Sequence, residues 1–258
     1  MFEKNFPASL KNEILFSKEI TEGSSGMGPR RVQEWLSFHG CATSIDGKFG
    51  TATVQAVCKF QKAKAFAQTG KVDQETWDAL IDPLRESVVD GSGDTLGGRI
   101  ISVASNHLAS RPVELGGANR GPWVRCYMEG HDGTEWLWCA GFVTFLLRQA
   151  CVELGCPMPI KGSLSCDTLA AQAQSAGLFV TERELKTGQK NWTDLGEAFL
   201  FVVRRTPGDW QHTGIGHGGS ADAFSTIEGN TNDVGGSNGY EVCARTRSAI
   251  SKDFICLR

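Results

Sequence analysis

Apolar positions fall into two rhythms along the chain. From about residue 28 to 82 they recur at helical spacing in three short segments. Val32, Trp35 and Leu36 share one face, Val54, Val57, Phe60 and Gln61 lie on the next segment, and Trp77 and Leu80 on the third. Further on, Cys139, Phe142, Val143, Leu146, Leu147 and Ala150 form the i, i+3, i+4, i+7 stripe of one buried helix. The rhythm then turns to alternation in AFLFVV, WQHTGIGH, AFSTIEGN and YEVCARTR, the pattern of antiparallel strands. Helices followed by a run of strands predict an α+β fold. Its parts would be an N-terminal extension (1–27), a small three-helix unit (28–82), and a second unit (99–258) with a cysteine-bearing helix packed on an antiparallel sheet. Between the units, residues 83–98 hold a proline, a charged stretch and a Gly/Ser/Asp-rich run without periodicity, which reads as a linker.

The three-helix unit contains an internal repeat. Gly47-Lys48-Phe49-Gly50-Thr51-Ala52-Thr53 is echoed by Gly70-Lys71-Val72-Asp73-Gln74-Glu75-Thr76. In each copy the first glycine permits a turn with positive φ. Gly50 and Asp73 then read as N-caps, with Phe49 and Val72 placed to staple onto Val54 and Trp77 one turn inside the helix.

Composition narrows the function classes. Of 258 residues 40% are hydrophobic and 21% charged, which excludes bulk disorder. Lys+Arg 26 against Asp+Glu 29 leaves a net charge of -3, which disfavours a nucleic-acid partner. The N-terminal MFEKNFPASLKNEILF carries acidic residues early and no long apolar stretch, so it does not read as a secretory signal. The longest aliphatic-aromatic run, Phe199 to Val203, is far too short for a membrane span. Synthesis in the cytoplasm without a signal is therefore expected. Nine cysteines without a CxxC disfavour zinc ribbons and thioredoxin-type motifs, and most read as buried small hydrophobes.

Cys139 stands apart because it opens the apolar stripe. A cysteine at a helix N-terminus faces unpaired N–H groups and the positive end of the helix dipole, and both favour thiolate. The same spacing also fits a plain first core residue. A thiolate nucleophile needs a histidine and the histidine an orienting group. His212, at the start of a strand whose small residues (Thr213, Gly214) would leave access to a cleft, is the better candidate; His217, before Gly218-Gly219, reads as a turn residue. His39, His107, His131 and His217 are given bland surface roles. Downstream, period-two alternation would point Glu228 and Asn230 to the same side, where either could hold the imidazole. A polar turn at a strand end explains the same residues.

Two resemblances sharpen this picture. VQEWLSFHG, DGKFGTATVQAVCKFQ and TGKVDQETWDAL, in that order, closely resemble the peptidoglycan-binding domain found beside many cell-wall hydrolases, over about a fifth of the chain. WCAGFV, QHTGIG and TIEGNT, with NRGPWVRCY ahead of them, resemble the CHAP branch of the papain-like NlpC/P60 amidase and endopeptidase superfamily, over most of residues 100–258. The second resemblance implies a papain-like domain with Cys139 as nucleophile, His212 as general base and then acid, and Glu228 and Asn230 as orienting partners. A backbone N–H at Cys139 would help form an oxyanion hole. Some relatives carry an Asp-rich calcium loop before the cysteine. The corresponding MEGHDGTEW offers only Glu129, Asp132 and Glu135, so no required metal and no cofactor are expected.

Together they imply a peptidoglycan hydrolase, with bacterial peptidoglycan as partner, an N-terminal unit that tethers, and a C-terminal unit that cuts an amide in the stem peptide or at its sugar junction. The departure from a compact pattern at 155–196 would shape substrate choice. A monomeric phage endolysin or phage-derived lysin, released through a holin, is favoured over an injected antibacterial effector, which would have an immunity protein as partner. The alternatives are a non-catalytic wall-binding protein and a cysteine amidase acting on a cytosolic amide. Amidase and endopeptidase are not distinguished, since loops shape the pocket.

Overall fold

The structure, a computed structural model, describes residues 5–232 and 238–257. Helix α1 (Ala8–Ile14) precedes the three expected helices, α2 (Met27–Phe38), α3 (Thr51–Ala63) and α4 (Gln74–Ser87). The repeat works as its residues suggest. Gly47 and Gly70 take φ of 70° and 67°, and Gly50 and Asp73 are the N-caps of α3 and α4. The Asp73 carboxylate accepts from the Thr76 N–H at 2.9 Å.

Each turn is closed by a buried glutamine from the preceding helix. Gln33 accepts from the N–H groups of Asp46 and Gly47 and donates to the Lys48 carbonyl. Gln61 does the same one repeat later: it accepts from Gly70 N–H at 3.0 Å and donates to the Lys71 carbonyl at 2.8 Å. Each amide also reaches the hydroxyl in the next helix, Thr53 or Thr76. Replacing Gln61 by alanine strands several buried polar groups at once. We expect Gln61→Ala to cost about 1–3 kcal/mol in urea unfolding, whereas an amide held only at the surface would cost under about 0.5.

The segment expected to be a linker over 83–98 is largely structured. Helix α4 continues through Pro83 to Ser87, because Ile81, Leu84 and Val88 extend the buried face begun by Trp77 and Leu80. Burial of that face offsets the missing proline N–H. Helix α5 begins at Leu96 and runs to Ser110. The short stretch between is strapped to the body, with Gly91 N–H donating to Glu153 at 2.8 Å and Arg99 donating to the Gly93 carbonyl.

Helices α6 (Pro122–Tyr127) and α7 (Cys139–Leu154) follow, and α7 ends at Gly155 with φ 66°. Next come α8 (Cys166–Ser175), the short strand β1 (Phe179–Val180) and α9 (Glu182–Lys186). The four expected strands appear as β2 (Ala198–Thr206), β3 (Asp209–His217), β4 (Phe224–Thr231) and β5 (Glu241–Arg247); β6 (Lys252–Cys256) was not anticipated. They form one antiparallel sheet in the order β1-β6-β2-β3-β4-β5. Helix α7 lies against β3 and β4, and α5 against α7 and β2. The other face carries an aromatic cluster of Phe199, Phe201, Phe224 and Phe254. The α+β class follows directly from this order of helices and strands.

One hydrophobic core runs through both parts of the chain. Trp35 of α2 meets Trp123 of α6 edge to face at 5.7 Å. Beside them Arg125, 4% exposed, donates to Glu13 of α1 (2.9 and 3.0 Å) and to Glu34 of α2 (3.1 and 2.6 Å). Burial disfavours its charge, but bonds to the two glutamates more than compensate and hold the guanidinium protonated. Helix α1 and the three-helix unit are thus packed on the sheet-bearing half. Among the described residues no helix is long and apolar enough to cross a membrane.

Candidate active site

Cys139 is the first residue of α7, with Trp138 as N-cap. The stripe behind it is buried as expected: Phe142, Val143, Leu146, Leu147 and Ala150 are all in the core. The first-turn N–H groups of a helix have no acceptor within it, so they surround the Cys139 sulfur with partial positive charge. His212 comes from β3 and Glu228 from β4, the two strands against which α7 packs. Gly229 makes that approach close. A Cβ there would lie 2.7 Å from both the Phe142 and Trp138 rings, so only glycine lets β4 pass over the start of α7.

His212 Nε2 bonds Glu228 Oε2 at 2.9 Å, and both residues are fully buried. Its Nδ1 has no hydrogen-bond partner among the described residues, and Cys139 is, with Glu228, one of the two groups that favour its charged form. Glu228 is itself clamped. Arg247 donates to both of its oxygens (2.7 and 2.5 Å), and Thr226 Oγ1 donates to Oε1 at 2.6 Å. Burial would push the Glu228 carboxyl up, but Arg247 and His212 outweigh it and hold it down to about 2. Burial likewise opposes the imidazolium, yet Cys139 and Glu228 raise His212 to about 9.

A hydrogen bond from Cys166 is the largest influence on the Cys139 thiol; with His212 it overcomes burial and drives the thiol well below its ordinary range. Both shifts favour a thiolate at Cys139 beside an imidazolium at His212, a pair through which a cysteine can act as nucleophile. Cys139 lines a groove of about 370 Å³. Trp136, Leu137, Cys166, Asp167 and Trp210 also line it.

Asn230 lies elsewhere. Period two fails at the end of β4, where the register slips between Glu228 and Thr231 and Asn230 takes a left-handed φ of 56°. Its side chain therefore does not share a side with that of Glu228. With the carboxamide turned to satisfy both ends, Oδ1 accepts from Trp138 N–H at 3.0 Å and Nδ2 donates to the Gly239 carbonyl at 2.7 Å. Asn230 thus pins the start of α7, one residue before Cys139, and does not hold the imidazole.

Other expectations change too. The glycines after His212 do not open a cleft: a Cβ at Gly214 would sit 2.8 Å from Glu228 and 2.9 Å from Phe201. His107 is not a surface residue. It is fully buried, bonded to Tyr127 Oη at 2.8 Å and Gln149 at 3.3 Å, and burial lowers it to about 4. Tyr127 in turn stacks on Trp138, whose indole N–H donates to Glu114 at 2.9 Å, so His107 braces the helix start from behind. His39 is half-buried and bonds the Leu80 carbonyl, joining α2 to α4. His217 is the last residue of β3, five positions after His212 and on the opposite face of the strand. His131 stacks on Trp136 at the groove's edge, with centroids 4.2 Å apart.

The sequence reading missed Arg247, Thr226 and Cys166. Thr226 was legible in principle, two residues before Glu228 on the same strand face. Arg247 and Cys166 arrive from distant segments without a local signal. Of the acidic residues before Cys139, Asp132 is committed to Arg125 at 3.0 Å. Among the described residues no three His, Cys, Asp or Glu side chains are grouped to hold a metal.

Comparison with curated proteins finds no match for the chain. A family model described as "Putative peptidoglycan binding domain" matches residues 25–80. That span holds α2, α3 and the first half of α4, with both copies of the repeat and both buried glutamines, and it supports peptidoglycan as the partner of this part of the chain.

Proposed function

We propose that the protein is a peptidoglycan hydrolase that cuts an amide bond through a Cys139 thioester. The observation that carries this reading is the buried chain Cys139–His212–Glu228–Arg247, with the thiolate at a helix N-terminus and on a groove, in a molecule whose residues 25–80 match a wall-binding family. The Cys139 thiolate attacks the amide carbonyl. The oxyanion that forms is stabilised by first-turn N–H groups of α7. The His212 imidazolium gives its proton to the leaving amine, and then, as a neutral base, takes one from the water that opens the thioester. Glu228 keeps the imidazole ring oriented, and Arg247 keeps Glu228 ionised. Asn230 acts through Trp138 by fixing where α7 begins.

The N-terminal unit contributes more than loose tethering. Packed on α6 through Trp123 and Arg125, it presents bound wall in a fixed orientation relative to the groove. Digestion of purified sacculi, followed by mass spectrometry of the soluble products, tests the reading. Fragments with a new free amine and carboxyl at one stem-peptide or muramoyl-alanine amide support it. Products cut only between sugars, or none at all, overturn it. The same spectra identify which amide is cut.

The pH profile carries a second expectation. The imidazolium is favoured by the Glu228 carboxylate, so it persists until pH rises through about 9. In Glu228→Gln that charge is gone, the proton is lost earlier, and the alkaline limb of kcat/KM should move down by about 1–2 pH units. An unmoved alkaline limb would mean that Glu228 does not act through His212.

A further inference from the structure

The groove holds a second thiol that takes no part in the bond-making steps of the hydrolytic scheme. Cys166 is the first residue of α8, as Cys139 is of α7, so two helix N-termini converge on one point. The sulfurs lie 3.8 Å apart, 27 residues apart in sequence, and both line the groove. Both are thiols. A covalent S–S bond is about 2.05 Å, so each sulfur need move less than about 1 Å to close it. The two thiols are also unlike. Cys139 is held as thiolate, whereas the hydrogen bond to Cys139, burial and the neighbouring Asp167 keep Cys166 protonated. One is built to attack and the other to resolve.

We propose that Cys139 and Cys166 form a reversible disulfide that masks the nucleophile under hydroperoxide stress. The Cys139 thiolate attacks one peroxide oxygen, the O–O bond breaks and hydroxide leaves, giving a sulfenic acid at Cys139. Cys166 loses its proton to that hydroxide, which becomes water, and its sulfur attacks the sulfenyl sulfur. The S–O bond breaks, the S–S bond forms, and the departing hydroxide takes the proton of the His212 imidazolium to leave as a second water. Two thiols have been oxidised by two electrons and one peroxide reduced. A dithiol reductant reverses the bond by exchange. Without Cys166 the sulfenic acid would be open to further, irreversible oxidation. The loss of turnover that follows rests on the hydrolase reading; formation of the bond does not.

The test uses the full chain, reduced and then treated with a few equivalents of hydrogen peroxide, alkylated, digested and mapped by mass spectrometry. The expected result is a linked peptide joining Cys139 to Cys166, two hydrogens lighter than the separate thiols and released by dithiothreitol. In Cys166→Ser, Cys139 should instead accumulate sulfinic and sulfonic acid. A wild-type map in which Cys166 is alkylated as a free thiol, with Cys139 either unmodified or carrying oxygens, overturns the proposal. Sacculus cleavage followed in the same samples reads the hydrolase separately. The linked peptide can appear whether or not the reduced protein cuts wall.

Discussion

Cys139→Ala should abolish cleavage of purified sacculi, with a fall of about 10⁴-fold or more, while the cooperative thermal transition remains. The thiol has two competing explanations. As a core residue it would contribute packing, and its truncation would cost about 1 kcal/mol of stability with activity lost only in proportion to unfolding. As a nucleophile it supplies the electron pair that forms the thioester, for which alanine offers nothing. The two readings separate cleanly when activity and unfolding are measured on the same preparation. Residual cleavage near the wild-type rate would refute the nucleophile, whatever happened to stability. The loss should also leave binding to sacculi intact, because residues 25–80, which match the wall-binding family, do not include the groove.

Arg125→Met should cost about 3–5 kcal/mol in denaturant unfolding, the largest stability effect expected outside the hydrophobic core. One guanidinium neutralises Glu13 and Glu34, both essentially inaccessible, and reaches Asp132 as well. Arg30 bonds Glu34 and Arg31 bonds Glu13, but from the partly exposed side. Removing Arg125 strands carboxylates where water cannot solvate them, and the stranded charge is the source of the loss. Adding Glu13→Gln and Glu34→Gln to Arg125→Met should therefore recover part of it, which a simple sum of three losses would not allow. A cost below about 1 kcal/mol would class the cluster with ordinary surface pairs. Because these residues join α1, α2 and α6, the same variant should impair digestion of intact sacculi more than digestion of soluble fragments.

Local periodicity was enough to find much of this. The stripe from Cys139 to Ala150 gave α7 and its starting residue, and the duplicated Gly-Lys motif gave two helix starts with their caps. That His212 would meet a polar residue of the next strand was legible only as a choice between Glu228 and Asn230, and the structure takes Glu228. What escaped was non-local or broke a rule locally. Pro83 looked like a helix end, yet the apolar face of α4 runs straight past it. Asn230 looked like a companion of Glu228 until the bulge turned it towards Trp138. A histidine in a helical pattern says nothing about whether Tyr127 and Gln149 await it, so His107 was mistaken for surface. Cys166 belongs to the 155–196 segment, whose approach to the groove no local pattern announces. The glutamines that close the two turns were visible as residues but not as a device, since each bond spans 8 to 20 positions.

The hydrolase reading depends on the ionisation of one sulfur, and alkylation reports it directly. The reduced protein is treated with iodoacetamide across a pH series, and the rate at Cys139 is read by peptide mass spectrometry against the other eight cysteines. Cys139 should react selectively, with its rate already on a plateau well below the ordinary thiol pKa of about 8.5, and His212→Ala should move the onset of reaction towards that ordinary value. A Cys139 that reacts no faster than its neighbours, or only as pH passes the ordinary thiol range, would contradict the thiolate–imidazolium pair and the hydrolase built on it.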